Sequence, residues 1–140
     1  MGNGEIDTHF GNDDPAPGSV GLTLRTGSAG DTPNEYNKNA AFAFAFEQGK
    51  ENYQISDGSG PEKADSGVPF TEAGVIVTVT LNGADTYDLE IHTVSDKKLT
   101  KLPVRKLSAA GPITSFAIFN RDGATTDAFF NSLPVARENK

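Results

Sequence analysis

Cysteine and tryptophan are both absent from the 140 residues, methionine occurs once and tyrosine three times. Without cysteine the chain has no disulfide, no thiolate metal ligand and no cysteine nucleophile. Without tryptophan it lacks the flat aromatic platform that crystalline cellulose or chitin requires. Long apolar runs are missing too. None approaches the roughly 20 residues of a membrane-spanning helix, so membrane insertion is not expected. Cations are scarce: 12 Lys and Arg against 19 Asp and Glu give a net charge of −7. That balance argues against nucleic acid as a partner, because a phosphate backbone needs a basic footprint. The opening residues, Met1 to Asp7, are polar and acidic and do not read as a signal peptide.

The charge is unevenly distributed. Residues 1–96 carry 16 acidic and 4 basic side chains, and residues 97–140 carry 3 acidic and 8 basic. Lys97, Lys98, Lys101, Arg105 and Lys106 fall close together. They suit a solvated edge strand whose lysines discourage edge-to-edge pairing better than they suit an anion site.

The dominant positive signal is alternation with period two. In Ala41-Phe42-Ala43-Phe44-Ala45-Phe46 every Phe falls on one face. Val75, Val77, Val79 and Leu81 alternate with Ile76, Thr78, Thr80 and Asn82, and Tyr87, Leu89 and Ile91 with Asp88, Glu90 and His92. Val20, Leu22 and Leu24 behave likewise, and Ile113 to Phe119 is apolar on both faces, as in a central strand. Asn82-Gly83-Ala84-Asp85 and Arg121-Asp122-Gly123 read as hairpin turns, and 27–39 and 58–67 as polar loops. No segment has a helical period. A length of 140 residues fits one domain, 1–140, and eight to ten short strands at regular spacing predict an all-β, two-sheet antiparallel β-sandwich of jelly-roll type.

The last third carries a family likeness. Tyr87-Asp88-Leu89-Glu90-Ile91, a basic strand, Ile113 to Asn120, and the ending Asp127-Ala128-Phe129-Phe130-Asn131-Ser132-Leu133-Pro134-Val135 follow in order. This arrangement resembles the closing strands of the concanavalin A-like lectin/glucanase superfamily, which includes laminin-G-like domains. The resemblance extends over about 8–136. It implies a jelly roll that binds carbohydrate on its concave sheet or loop tips, in some members with calcium at a sandwich rim, and it favours an extracellular, cell-surface or virion setting. Fold alone does not carry function across.

Three functional readings follow. The first is a non-catalytic, lectin-like or carbohydrate-binding module with a glycan as partner. Its sugar would be held by Tyr36 or Tyr53 and by the polar face of Thr78, Thr80 and Asn82, with Tyr87 in the core. The second is a structural domain of a capsid, phage tail or cell-surface assembly. The third is a glycoside hydrolase or polysaccharide lyase. A hydrolase needs two opposed carboxylates, for which Glu47 and Glu90 are the candidates; a lyase would draw on His92 and Arg25. No nucleophile elbow, phosphate-binding glycine loop or zinc-binding histidine pair is present, so catalysis is not expected. Calcium is the one cofactor the loops suggest, since it needs six to eight oxygens. Asp13 and Asp14, together with Asn120, Asp122 and Asp127, are the expected ligands, with Asp57 and Asp65 as a further acidic loop. Ordinary Asp/Asn/Gly turn chemistry accounts for each of these loops separately.

Overall fold

The computed structural model describes residues 18–26, 39–60, 64–83, 85–109, 111–121 and 134–135. Among them are eight strands and no helix: β1 Ser19–Thr26, β2 Ala40–Glu47, β3 Asn52–Ser56, β4 Ala64–Pro69, β5 Val75–Leu81, β6 Thr86–Thr93, β7 Leu99–Lys106 and β8 Ile113–Arg121. They form two antiparallel sheets, one ordered β4-β3-β2-β1-β8 and the other β5-β6-β7. The chain lays down four strands as a meander, crosses over to build the three-stranded sheet, and returns to set β8 beside β1. The result is the expected all-β, two-sheet antiparallel sandwich, open at its edges.

The alternation read from the sequence becomes the core. Phe42, Phe44 and Phe46 on β2 are buried, as are Tyr53 and Ile55 on β3 and Tyr87, Leu89 and Ile91 on β6. β-Branched and aromatic side chains fit such a half-buried pleated surface. Register keeps the faces consistent: Leu22 lies opposite Phe44, which lies opposite Ile55, so one apolar stripe runs across three strands. The rings of Phe42 and Tyr87 meet edge to face across the two sheets, with centroids 5.1 Å apart. Gly21 sits where β1 is flanked on both sides. A Cβ there would lie 2.2 Å from the Phe44 carbonyl oxygen and 2.8 Å from the Cβ of Ala45, so this strand crossing needs glycine.

One expectation is corrected. Residues 58–67 do not form one loop, because β4 begins at Ala64 and pairs with β3. Its Asp, Ser and Gly residues hide the strand from propensity, and Gly67 at φ 73° marks its irregularity. Among the described strands β8 ends the order of its sheet, with Phe116 and Ile118 half exposed. The Arg121-Asp122-Gly123 turn from Asp122 on, and the strand expected at 129–133, lie outside the described residues.

Candidate functional site

One side of the sandwich is closed by a buried polar cluster. Asp57 follows β3, and its side chain is fully buried. Tyr87 of β6 donates its hydroxyl to Asp57 Oδ2 at 2.5 Å. Arg105 of β7 donates Nε to Oδ2 at 2.6 Å and Nη2 to Oδ1 at 3.1 Å. The Ser59 amide reaches Oδ1 at 2.9 Å. Burial pushes the Asp57 carboxyl up, but the hydrogen bonds from Arg105, Tyr87 and Ser59, with the guanidinium charge, outweigh it and hold the group below the usual carboxylate range. The Tyr87 hydroxyl moves the other way, raised by burial and by the carboxylate it faces.

A β-bulge makes this cluster. Thr86 and Tyr87 lie opposite Lys106 and Arg105, whereas Leu89 lies opposite Leu102, so β7 carries one extra residue around Pro103 and Val104. Val104 adopts φ 51°, rare for a β-branched residue, and its N–H is held by Asp88 Oδ1 at 2.7 Å. That bond, with one from Asn82, keeps Asp88 ionised below its ordinary range. The extra residue inverts the alternation, so Arg105 turns inward from what the sequence presents as a surface run of cations.

The segment after β3 also caps the end of the β7 edge at Lys106. The Gly58 amide donates to the Lys106 carbonyl at 2.8 Å, and the Lys106 amide to Ser59 Oγ at 2.5 Å. A Cβ on Gly58 would come within 2.5 Å of the Leu107 carbonyl oxygen, so the approach requires glycine. Lys97, Lys98, Lys101 and Lys106 are exposed along or beside this strand. With Pro103 and the bulge they provide the usual protection of a sheet edge. Lys101 pairs with Glu90 at 3.2 Å on the outer surface, an exposed contact of about 0–1 kcal/mol.

The opposite side is different in kind. β5 ends its sheet, contains no charge and no proline, and is joined to β6 without a register shift. The Asn82 amide donates to the Thr86 carbonyl and the Val94 amide to the Gly74 carbonyl. In an antiparallel ladder bonded pairs alternate, so Ile76, Thr78 and Thr80 bond to β6. The backbone N–H and C=O groups of Val75, Val77, Val79 and Leu81 therefore point away from β6, to an edge with no partner strand among the described residues.

Below that edge the larger sheet protrudes. Phe42 on β2 contacts Tyr87 on β6, and Asp57 at the end of β3 contacts Arg105 on β7. These two contacts set the sheets in the same order, which places β5 over β1 and leaves no described strand over β8 or, on the other side, over β4. Phe116 and Ile118 pair with Leu24 and Leu22 and share their core-facing side, yet they remain 46% and 45% exposed. At one end this side deepens into an apolar cleft of about 360 Å³ lined by Leu81, Gly83, Leu107, Gly111, Pro112 and Ile113.

The residues singled out from sequence fall in several places. Thr78, Thr80 and Asn82 are exposed together on the outer face of the three-stranded sheet. Tyr53 is not with them. Its ring is fully buried, stacked on Phe44 at 5.0 Å and against Phe46 and Phe70, because it shares the inward parity of Ile55. It cannot serve as a sugar platform. Tyr36, Asp13, Asp14, Asp122 and Asp127 lie outside the described residues, and Asn120 is exposed near the end of β8. No group of metal-ligating side chains occurs among the described residues. Asp57 is occupied by Arg105 and Tyr87, and Asp65 accepts from the Gly67 amide at 2.7 Å and from Asn52 at 2.8 Å, so that acidic loop is turn chemistry. Glu47 and Glu90 belong to different sheets, as do Arg25 and His92, and Arg25 Nε bonds to Ser115 Oγ at 3.2 Å.

By fold and site together the described residues form a two-sheet antiparallel β-sandwich whose β7 edge is capped and bulged and whose β5 edge has no described strand beside it. Comparison with known proteins finds no matching family model, no matching curated protein and no matching solved structure.

Proposed function

We propose that this chain is a non-catalytic structural module that works in an assembly, holding a partner protein through the open β5–β8 side. The observation that carries this reading is the contrast between the two sides. Among the described residues the bulge, Pro103 and the bonds from Gly58 and Ser59 guard the β7 edge, whereas the β5 edge presents backbone with no partner strand, beside exposed Phe116 and Ile118 and an apolar cleft. Such apolar surface, rimmed by polar residues, is characteristic of protein–protein contact.

Two further features point away from the other readings. A glycosidase needs two carboxyls facing one another, and the candidates Glu47 and Glu90 belong to different sheets, Glu90 pairing with Lys101 on the outer surface. Sugar binding retains the exposed Thr78, Thr80 and Asn82 face, but both described tyrosines, Tyr53 and Tyr87, are buried. A nuclear magnetic resonance titration with soluble oligosaccharides at millimolar concentration separates the two. The assembly reading expects no saturable shift at Thr78, Thr80 or Asn82. It also expects an apolar fluorescent dye to bind the chain and to be lost from the double variant Phe116→Ser/Ile118→Ser. Saturable sugar shifts on that face, or dye emission unchanged in the variant, would contradict it.

A further inference from the structure

Resting on the assembly reading, we infer that the occupant of the open side is a single extended peptide strand, hydrogen-bonded to the free edge of β5 and laid over Phe116 and Ile118 of β8. Three observations converge on this occupant. The edge offers the N–H and C=O groups of Val75, Val77, Val79 and Leu81 at the spacing of a strand ladder. A strand added there lies about 4.8 Å beyond β5. With β5 above β1, that position is above β8, where Phe116 and Ile118 are exposed. The slot then ends at the cleft between Leu81 and Ile113, which suits one large apolar side chain.

The same geometry argues against a second copy of the chain. Pairing β5 with β5 of another molecule would carry that molecule's larger sheet with it. Its β1 would then fall where β8 of the first already lies. Only a strand with no sheet behind it fits. Its chemistry follows from the walls: residues 75–81 and 113–119 contain no charged side chain, although the chain carries a net charge of −7. A charge pressed between them would lose hydration without gaining a partner. The partner strand therefore has uncharged, apolar residues at alternate positions. Main-chain bonds supply its affinity and side-chain contacts with β8 its register, as in other strand-addition complexes.

The test uses the full chain, labelled with nitrogen-15, and a capped peptide of sequence Lys-Val-Thr-Val-Thr-Val-Thr-Val-Lys. Binding should shift Val75, Val77, Val79, Leu81, Phe116 and Ile118 saturably. It should slow amide exchange at the odd-numbered β5 positions by at least about tenfold while leaving Ile76, Thr78 and Thr80 unchanged. The same peptide N-methylated at alternate residues should not bind. Val79→Pro removes an outward N–H without cutting a bond to β6, and Phe116→Ser/Ile118→Ser removes the apolar floor. Each should weaken binding by roughly tenfold or more. Absence of binding at millimolar peptide, or equal binding to both variants, overturns the single-strand occupant. If the peptide fails while the double serine variant still loses the dye, the assembly surface stands and only its proposed occupant falls. If the dye is also unaffected, both fall.

Discussion

Asp57→Ala is expected to lower the stability of the folded chain by about 3–5 kcal/mol, the usual effect of removing one partner from a buried ion pair. The Asp57 side chain is fully buried and that of Arg105 is 18% exposed. Deleting the carboxylate leaves a guanidinium and the Tyr87 hydroxyl in the interior without their acceptor, and frees the segment that caps β7 at Lys106. In a domain of this size the melting temperature should fall by roughly 10–15 °C. Converting Arg105 to methionine in the same molecule should recover part of the loss, because the orphaned charge goes with it. The pH dependence has a definite sign. A carboxyl held below its ordinary value in the folded state stabilises fully above the unfolded value, about 3.9, and loses that contribution as pH falls through the folded value. The stability gap between wild type and Asp57→Ala should be flat above about pH 5 and narrow below about pH 4. Thermal melts across this range measure it. A melting temperature unchanged by the substitution, or a gap of constant size down to the lowest workable pH, would contradict the role assigned to Asp57.

The second large effect belongs to the core. Phe44 is 1% exposed and stacks on Tyr53, with an interplanar angle of 22°. Phe44→Ala removes most of a ring from between Leu22 and Ile55, and no neighbouring backbone can close the space without breaking register. The expected loss is about 3–5 kcal/mol. Phe116→Ala provides the internal comparison. Its side chain lies on the same face of the same sheet but is half exposed, so its removal should cost about 1 kcal/mol or less. Urea unfolding of the two variants gives both numbers. Near-equal losses would mean that β8 is covered as β2 is, and the description of the open side would fail.

These two variants also show how far sequence alone reached. The Phe/Ala alternation at 41–46 gave β2 and its buried face, and the Val/Thr and Tyr/Leu/Ile alternations gave β5 and β6 with Tyr87 inside. The turn at Asn82-Gly83 joined them correctly, since period-two patterns and turn chemistry are local properties. Tyr53 was legible as well. Its parity with Ile55, against Asn52, Gln54 and Ser56, places it inward, away from any sugar. The Asp57–Arg105 contact was not legible, because it joins residues 48 apart in sequence and depends on one bulged residue that inverts the alternation of β7. Pro103 was the available signal: proline inside a strand marks an edge or a bulge. The open side was hidden for a similar reason. Ile113 to Phe119 is apolar on both faces, and composition cannot distinguish a strand flanked by two others from one whose inner face lacks a cover.

Amide hydrogen exchange along β5 in the chain alone tests that open side most directly. Ile76, Thr78 and Thr80, bonded to β6, should exchange slowly, whereas Val75, Val77, Val79 and Leu81 should exchange faster by on the order of a hundredfold. An alternating pattern of this kind is the signature of an uncovered edge strand. Uniform slow exchange from 75 to 81 would mean that the edge is already paired in the isolated chain, and the slot would not exist.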